Sequence, residues 1–375
     1  MSTLIIDGHL DLAFNGLFNR RDQRQPAMVL RNREDIFLSG PSADPEAVLI
    51  KENAWADKQH GMATVSLPDM RRGHVGIGLI TIMSRIQLPG PNSHNSVRTQ
   101  AVAHAQGISH LAYYEALERE GELRFIKSVE DLDASVAEWE NPTPETPIGL
   151  ILSMEGADPI LGPDNVQHWW EAGLRSVSLT HFGANTYGHG TGTEGGLYTP
   201  AFPLMDALRN AGVILDVTHS ADLAFWQLLD YWDGPIHASH CNCRALVPVQ
   251  RMLTDQMIKA LCERDAVIGV VFADTFVNPN AHMFGPTTTM TRPMSANVEH
   301  IDHICQLTGN TDHVAIGSDL DGGFGREKSP CDLDTIADLQ GFLDALRQRG
   351  YSEEDIAKIA HGNTLRLFRN AWNKG

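Results

Sequence analysis

Eight short apolar segments, rich in valine and isoleucine, recur along the 375-residue chain and restrict the folds open to it. Their apolar character is continuous rather than alternating, which is typical of strands buried on both faces of a parallel sheet. Each segment ends in polar residues or glycine. The eight segments are residues 4–7, 75–83, 148–154, 175–180, 213–218, 235–239, 266–272 and 313–318.

Helical signals lie between these segments. Apolar residues recur at helical spacing from Ala101 to Leu111, and Gly212 suits the position just after a helix. The predicted helices include residues 94–120, 163–172, 203–211, 254–264, 296–307 and 333–349. Eight strands that alternate with helices predict an α/β fold, a single-domain (β/α)8 TIM barrel over residues 1–375, in preference to a doubly wound open sheet.

Two stretches exceed what a minimal barrel needs. Residues 19–61 are polar, contain prolines and are too long for a simple loop, which predicts a segment inserted after the first strand, over the barrel mouth. Residues 183–200 carry six glycines and follow the fourth predicted strand. Their Gly190-x-Gly192-x-x-Gly195 run neither directly follows a strand nor clearly opens a helix, so it is a weak dinucleotide-binding fingerprint.

The composition argues against several classes of partner. A formal net charge of −18 repels phosphate backbones and anionic headgroups, so we expect neither nucleic acid nor a membrane surface as a partner. Five cysteines are an odd number in a long chain, which favours a reducing compartment over a disulfide framework. The absence of a leader-like start and of an apolar run of about 18 residues predicts a cytoplasmic protein.

Polar side chains follow the apolar segments at the end where barrel active sites are built. Left desolvated and unpaired, these groups would be costly, whereas a shared metal site accounts for them together. Neutral imidazole and carboxylate are the usual ligands of zinc and similar ions. The candidate residues are His9, Asp11, Glu155, His181, His219, His240 and Asp319.

Each of these groups, taken alone, has a structural alternative. Glu155 could cap a following helix, and His181 could be a core histidine bonded to the backbone. His219 and His240 could lie beside helix N-termini, while Asp319 could belong to a turn. Seven structural groups at corresponding strand ends would be a coincidence, so the shared metal site is favoured.

Competing mechanisms lack their residues. The sequence contains no Gly-x-Ser-x-Gly elbow, no His-Glu-x-x-His helix and no Gly-x4-Gly-Lys-Ser/Thr loop. Metal-assisted hydrolysis is therefore the chemistry that the residues favour.

A set of short motifs occurs in a fixed order along nearly the whole chain. The motifs are DGHLDL at 7–12, SMEG at 153–156, SLTH at 178–181, DVTHS at 216–220, SHCNCRA at 239–245, GSDLDG at 317–322 and HGNTLR at 361–366. Each motif is short, but the ordered set is specific. It resembles the renal (membrane) dipeptidase family of the amidohydrolase superfamily.

The resemblance implies a site for two zinc ions, or for other divalent ions, in each chain. His9 and Asp11 would hold the first ion, and His219 and His240 the second. Glu155 would bridge both ions, together with a water or hydroxide that acts as the nucleophile. A bridging carboxylate would offset part of the repulsion between the two cations.

The resemblance also implies roles toward a dipeptide-like substrate, including L-Xaa-D-Xaa. His181 would donate a hydrogen bond to the oxyanion, and Asp319 would bind the amino group and pass a proton to the leaving amine. Arg251 would clamp the C-terminal carboxylate, the alternative being a solvated residue at a helix start. The family resemblance also suggests a homodimer.

Departures from the family pattern leave the substrate open. Residues 183–203 and 273–293 look rebuilt; where the family carries a Gly-Leu-Thr-x-Phe-Gly-like run, this chain reads GLYTPAF at 196–202. Three hypotheses therefore stand: a metallo-dipeptidase, a binuclear hydrolase of another amide, ester or lactone, and a non-catalytic barrel that binds a small molecule. The complete ligand set argues against the third.

Overall fold

The computed structural model describes residues 2–39, 62–86, 96–280 and 292–372. Within these ranges, nine strands form one parallel sheet. They are β1 (Ile5–Leu10), β2 (Val75–Met83), β3 (Leu123–Phe125), β4 (Ile148–Glu155), β5 (Leu174–Ser178), β6 (Ile214–Asp216), β7 (Ile236–His237), β8 (Ile268–Val270) and β9 (Val314–Ile316).

Eight of these strands form a nearly closed barrel. Their order is β7-β6-β5-β4-β2-β1-β9-β8, and a parallel bridge between Ala238 and Ile268 joins the two ends of this order. Each of the eight predicted apolar segments overlaps one barrel strand, so the barrel prediction is confirmed. The strand β3 was not predicted; it pairs with the first residues of β4, beside β5, as in the pair Leu123 and Ile148.

Helices connect the strands, and the six predicted helices are all present with shifted bounds. In the described ranges the α-helices are α1 (Leu12–Leu17), α2 (Ala27–Ser39), α3 (Leu67–Arg72), α4 (Gln100–Arg119), α5 (Val129–Glu138), α6 (Val166–Ala172), α7 (Ala201–Ala211), α8 (Asp222–Tyr231), α9 (Asp255–Cys262), α10 (Ser295–Thr308), α11 (Leu339–Arg349), α12 (Glu353–Ala357) and α13 (Asn363–Trp372).

Side-chain caps and left-handed residues decide where these helices begin and end. The helix α4 starts later than predicted because Thr99 caps it by accepting a hydrogen bond from Val102 N. Thr254 caps α9 in the same way. After α7, Gly212 adopts a φ of 85°, a left-handed conformation that glycine tolerates at a helix C-terminus, as predicted. No helix in the described ranges is both long and apolar enough to cross a membrane.

Close packing of the strands brings the carboxyl ends of the strands together. A Cβ atom on Gly317 would lie 1.9 Å from the carbonyl oxygen of Ser239, so only glycine permits this approach of β9 to the segment after β7.

At the other end of the barrel, Leu365 and Phe368 of α13 belong to one buried cluster with the strand residues Ile6 and Ile77. The C-terminal helix therefore packs against the barrel strands.

The segment predicted to be inserted after the first strand, residues 19–61, is described only to residue 39, and residues 40–61 lie outside the described ranges. Its described part contains α2. Arg21 Nη1 lies 2.9 Å from Asp321 Oδ2, and Arg21 Nε lies 2.6 Å from Glu34 Oε1. The pair with Asp321 joins the start of the segment to the loop after β9, and the pair with Glu34 lies within the segment. A position over the barrel mouth stays a prediction.

Candidate active site

The seven predicted groups lie at the carboxyl ends of six barrel strands. In a parallel barrel these ends meet at one face, so side chains that leave the strands there converge. His219 and Asp319 adopt positive φ angles of 68° and 58°, which are uncommon for residues other than glycine and cluster at functional sites. His9 and Asp11 come from the end of β1, and Glu155 is the last residue of β4. The other four lie three residues beyond the ends of β5, β6, β7 and β9, respectively: His181, His219, His240 and Asp319.

Glu155 lies at the centre of the group. Its Oε1 is 3.0 Å from His219 Nε2, 3.4 Å from His240 Nε2 and 3.7 Å from His9 Nε2. Its Oε2 is 3.3 Å from His181 Nε2. One carboxylate therefore touches four imidazoles that come from four different strand ends.

A second set of carboxylates surrounds His9. Its Nε2 lies 3.8 Å from both Asp11 Oδ2 and Asp319 Oδ1. His9 Nε2 and Asp11 Oδ1 are buried and have no hydrogen-bond partner within the described ranges. Buried polar atoms of this kind are costly unless a ligand satisfies them.

Three subsets of the site could each hold a metal ion, because their ligand atoms all lie within 4.8 Å of one another. Glu155 and His9 each belong to two of the subsets. This grouping differs from the predicted one, in which His219 and His240 hold the same ion. In the structure His240 is grouped with His9, and His219 is grouped with His181. The three subsets are His9–Glu155–His240, Glu155–His181–His219 and His9–Asp11–Asp319.

The charge balance of the site fits a cation. Burial raises the pKa of Glu155 to about 7 and raises the pKa of Asp319 well above its ordinary value, and the neighbouring carboxylates add to both shifts. Burial alone would lower the pKa of His9, but Glu155 and Asp11 outweigh it and raise that pKa to about 10. Clustered buried carboxylates thus draw positive charge to this point, which divalent ions would supply.

The histidines beyond β6 and β7 are held in the neutral form that metal ligation needs. Burial lowers the pKa of His219, and the positive charge of Arg251 adds to this effect. Burial likewise lowers the pKa of His240, with further contributions from His9 and Arg251.

A buried relay orients His240. Burial would raise the pKa of Asp216, but the charge of His237 and the hydrogen bonds from Ser239 and Thr218 outweigh it, so Asp216 stays ionised. Ser239 Oγ donates to Asp216 Oδ2 over 2.6 Å and must therefore accept from His240 Nδ1 over 2.8 Å. The Nε2 of His240 then carries a lone pair toward Glu155, as a metal ligand requires.

His219 has a similar support. Thr191 Oγ1, from the glycine-rich segment, lies 2.9 Å from His219 Nδ1 and 3.5 Å from the carbonyl oxygen of His219, so it can accept from Nδ1 while its own proton faces that oxygen. In this arrangement Nε2 of His219 also carries a lone pair, only 3.2 Å from Nε2 of His240. Two lone pairs this close repel each other, and a cation between such ligands removes the repulsion.

Arg251 is buried beside these histidines, so the interpretation of it as a solvated residue is wrong. Its Nη2 donates to the carbonyl oxygen of His240 over 2.8 Å and lies 3.3 Å from His219 Nε2. Its Nη1 lies 3.0 Å from Cys241 Sγ, and its Nε has no hydrogen-bond partner within the described ranges. The guanidinium is therefore fixed at the edge of the ligand cluster with a donor to spare.

Comparison with known proteins agrees with this geometry. A model of the membrane dipeptidase family, peptidase family M19, matches residues 2–374. The chain belongs to this family. It is therefore an enzyme of the metallo-dipeptidase type, and the prediction of an enzyme rather than a non-catalytic barrel is confirmed.

Relatives of this dipeptidase include both sequences and solved structures. An uncharacterised protein from the pqqA 5′ region of Klebsiella pneumoniae is 30% identical over 249 residues, which cover 64% of this chain and 88% of that protein. The crystal structure of dipeptidase AC, a family M19 metallopeptidase, has a TM-score of 0.76 at 24% identity and covers 99% of both chains.

A second solved structure has the same fold. It is a metallopeptidase from Rhodobacter sphaeroides liganded with a phosphinate mimic of the dipeptide L-Ala-D-Ala. It has a TM-score of 0.75 at 23% identity and covers 99% of this chain and 100% of that one. Both structural neighbours confirm the barrel of this dipeptidase.

The structure also tests the purely structural interpretations of Glu155, His181 and Asp319. No helix begins at Glu155, and the ring of His181 contacts Arg85 and Glu155 rather than the backbone, so those two alternatives are wrong. Asp319 does lie in a turn, since its carbonyl oxygen accepts a hydrogen bond from Gly322 N, but its side chain also faces His9.

Sequence reasoning assigned no role to several residues that support the site. Asp216 and Ser239 lie inside quoted motifs, and Thr191 lies in the glycine-rich segment. Arg85 lies two residues beyond β2, a strand that contributed no candidate. A signal for Arg85 was available, because a charged residue at a barrel strand end is a candidate for function. Its partner His181, 96 positions later, could not be read from the sequence.

Proposed function

We propose that this dipeptidase is a binuclear zinc enzyme that hydrolyses the peptide bond of small dipeptides, including dipeptides of the L-Xaa-D-Xaa type. The observation that carries the proposal is the position of Glu155, whose Oε1 lies within 3.7 Å of the Nε2 atoms of His9, His219 and His240. The L-Ala-D-Ala mimic bound to the Rhodobacter sphaeroides enzyme supports the stereochemical part.

In this proposal the ligands divide between two ions. His9 and Asp11 would hold one ion, His219 and His240 would hold the other, and Glu155 would be shared between them. Bound zinc would lower the pKa of a water molecule so that it attacks at neutral pH, and would polarise the scissile carbonyl. The relay behind His240 and the hydroxyl behind His219 keep both rings oriented for this task.

The remaining residues handle the substrate. The side chain of His181 is 12% exposed, more than that of any proposed metal ligand, and its Nε2 faces Glu155, so it can donate to the oxyanion of the tetrahedral intermediate. Asp319 would bind the substrate ammonium group, take the proton that the attacking water loses and pass it to the leaving nitrogen as the C–N bond breaks. Arg251, whose guanidinium lies beside His219 and His240, would bind the C-terminal carboxylate.

Metal content and a substrate panel test the proposal together. Zinc-loaded protein is assayed with L-Ala-L-Ala, L-Ala-D-Ala, N-acetyl-amino acids and simple lactones, and its metal is counted by elemental analysis. We expect two ions per chain, turnover of the dipeptides, loss of activity on chelation and recovery on adding zinc. Sedimentation of the same sample tests the homodimer.

Each result has a clear meaning. Bound metal with turnover of lactones or N-acyl compounds but of no dipeptide would select the alternative of a binuclear hydrolase with another substrate. A single ion per active chain would refute the binuclear arrangement. His168→Ala, at an exposed histidine remote from the cluster, serves as the control and should keep both metal and activity.

A further inference from the structure

His181 lies between an arginine and a glutamate. Arg85 Nη1 is 2.7 Å from His181 Nδ1, while Glu155 Oε2 is 3.3 Å from His181 Nε2. Each ring nitrogen therefore has one charged neighbour. Only the Nε2 side faces the ligand cluster.

The chemistry of the guanidinium decides which nitrogen of His181 carries the proton. A guanidinium has donors and no acceptor, and it stays protonated in proteins, so His181 Nδ1 must accept from Arg85. The proton of the neutral ring then lies on Nε2. His240 has the opposite arrangement, because Ser239 leaves a lone pair on its Nε2. The site thus contains a donor at His181 and an acceptor at His240.

We propose that Arg85 is a positioning residue that holds His181 in the tautomer with the proton on Nε2, so that this atom donates to the developing oxyanion. The inference rests on the proposed function of His181 as that donor. Without Arg85, a neutral imidazole carries its proton on either nitrogen. The form with the proton on Nδ1 would present a lone pair to the oxyanion and repel it.

The loop that carries Arg85 is tied to the loop that carries His181. Ile86 N donates to Asp158 Oδ2 over 2.8 Å, and Asp158 Oδ1 accepts from Thr186 N over 3.2 Å. The buried Asp158 therefore ties the loop after β2 to the loop after β5. The guanidinium carbon also lies 5.7 Å from the centre of the Phe182 ring. These contacts keep the two loops at one separation, which the short contact to His181 requires.

The guanidinium of Arg85 contacts the imidazole of His181 and the ring of Phe182, and the negative charge of Glu155 acts on it only from beyond ion-pair distance. Within the described ranges, no ion pair joins Arg85 to an acidic residue, in contrast to the many arginines that pair at the surface. A carboxylate in place of Arg85 would accept a hydrogen bond from Nδ1–H, and the neutral ring would then carry a lone pair on Nε2. A cation at this position is therefore suited to the donor role of His181.

Kinetics of single and double variants test the inference on zinc-loaded enzyme with L-Ala-D-Ala as substrate. Arg85→Met removes the donor and keeps the length of the side chain. We expect kcat to fall about tenfold to a hundredfold with KM within about twofold, since the loss is one transition-state hydrogen bond. Arg85→Lys restores a donor-only cation and should recover most of this loss. The variant that combines Arg85→Met with His181→Ala should be no slower than His181→Ala alone.

The outcomes separate the inference from the proposed function on which it rests. If His181→Ala keeps the kcat of the unmodified enzyme, the proposed role of His181 is wrong. If His181→Ala is slow while Arg85→Met is not, or if the two losses multiply in the double variant, only the role of Arg85 is overturned. A rise in KM at constant kcat would mean that Arg85 binds substrate directly, which also overturns it.

A measurement that needs no activity completes the test. In protein labelled with 15N-histidine, the His181 signals, assigned by their loss in His181→Gln, should show a directly bonded proton on Nε2. In Arg85→Met that proton should move to Nδ1 or exchange between the two nitrogens; an unchanged pattern would overturn the inference. Arg175→Met is the control, because it removes another buried arginine, at the start of β5, and should lower thermal stability while leaving kcat and the His181 tautomer unchanged.

Discussion

The two ends of the barrel bury polar side chains in opposite ways. At the amino end, Arg175 donates to the carbonyl oxygens of Lys127, Trp170 and Leu174, over distances of 2.8–3.1 Å. At the carboxyl end, imidazoles and carboxylates face one another, and His9 Nε2 has no hydrogen-bond partner within the described ranges. Satisfied groups stabilise the fold, whereas clustered and unsatisfied ones are retained at a cost in stability that a bound ligand can offset.

Removing a metal ligand at the carboxyl end should have the largest effect on function. For His219→Ala we expect kcat/KM to fall about a thousandfold or more, because a two-ion mechanism loses one of its ions. Metal content should fall below two ions per chain, while circular dichroism should stay that of the folded barrel. Activity close to that of the unmodified enzyme would show that His219 is not a ligand.

Removing a satisfied group at the amino end should affect stability and not catalysis. Asn363 is buried, and its Nδ2 donates to the carbonyl oxygens of Thr311 and Val314 over 2.7 and 2.8 Å. We expect Asn363→Ala to lower the free energy of unfolding in urea by about 2–4 kcal/mol, since one buried and one partly buried acceptor lose their donor. The exposed Asn310→Ala is the matched control. A large loss of kcat in folded Asn363→Ala would erase the contrast between the two ends.

A smaller functional effect should follow from loosening a ligand without removing it. Thr191→Val keeps the shape of the side chain but removes the hydroxyl that lies 2.9 Å from His219 Nδ1. Zinc affinity, measured by competition with a chelator, should fall about tenfold to a hundredfold. Thr193→Val changes the same residue type two positions away, where the hydroxyl donates to Gly190 O, and should leave zinc affinity unchanged.

The last prediction concerns the pH dependence of stability and a buried histidine outside the ligand cluster. Burial lowers the pKa of His300 to about 3, and its Nδ1 accepts from Cys243 N. Below the ordinary histidine pKa of about 6.5, the unfolded chain binds a proton that the folded protein does not, so stability falls as pH falls, by up to about 1.4 kcal/mol per pH unit.

His300→Gln removes this titration. Its free energy of unfolding should therefore depend less steeply on pH than that of the unmodified protein between pH 6 and 4. Between pH 7.5 and 8.5 the difference between the two proteins should stay constant, because His300 is then neutral in both states. Parallel curves down to pH 4 would show that His300 does not contribute to acid sensitivity.

The barrel and the candidate ligands were predictable because both depend on local patterns. A strand buried on both faces needs a continuous apolar run, and each such run in this chain does overlap a barrel strand. The candidates followed because side chains at the carboxyl ends of parallel strands share one face. The strand β3 escaped prediction because only three residues pair there.

The sequence by itself determined the barrel, the residues at its carboxyl face and the family to which the chain belongs. Only the tertiary structure decided whether Nε2 of an imidazole carries a proton. Through Ser239, Nε2 of His240 is an acceptor, and through Arg85, Nε2 of His181 is a donor. Hydrogen bonds between loops depend on strand register and on the path of each loop across the barrel. Arg85 and His181 are 96 positions apart, so no local pattern records that they meet.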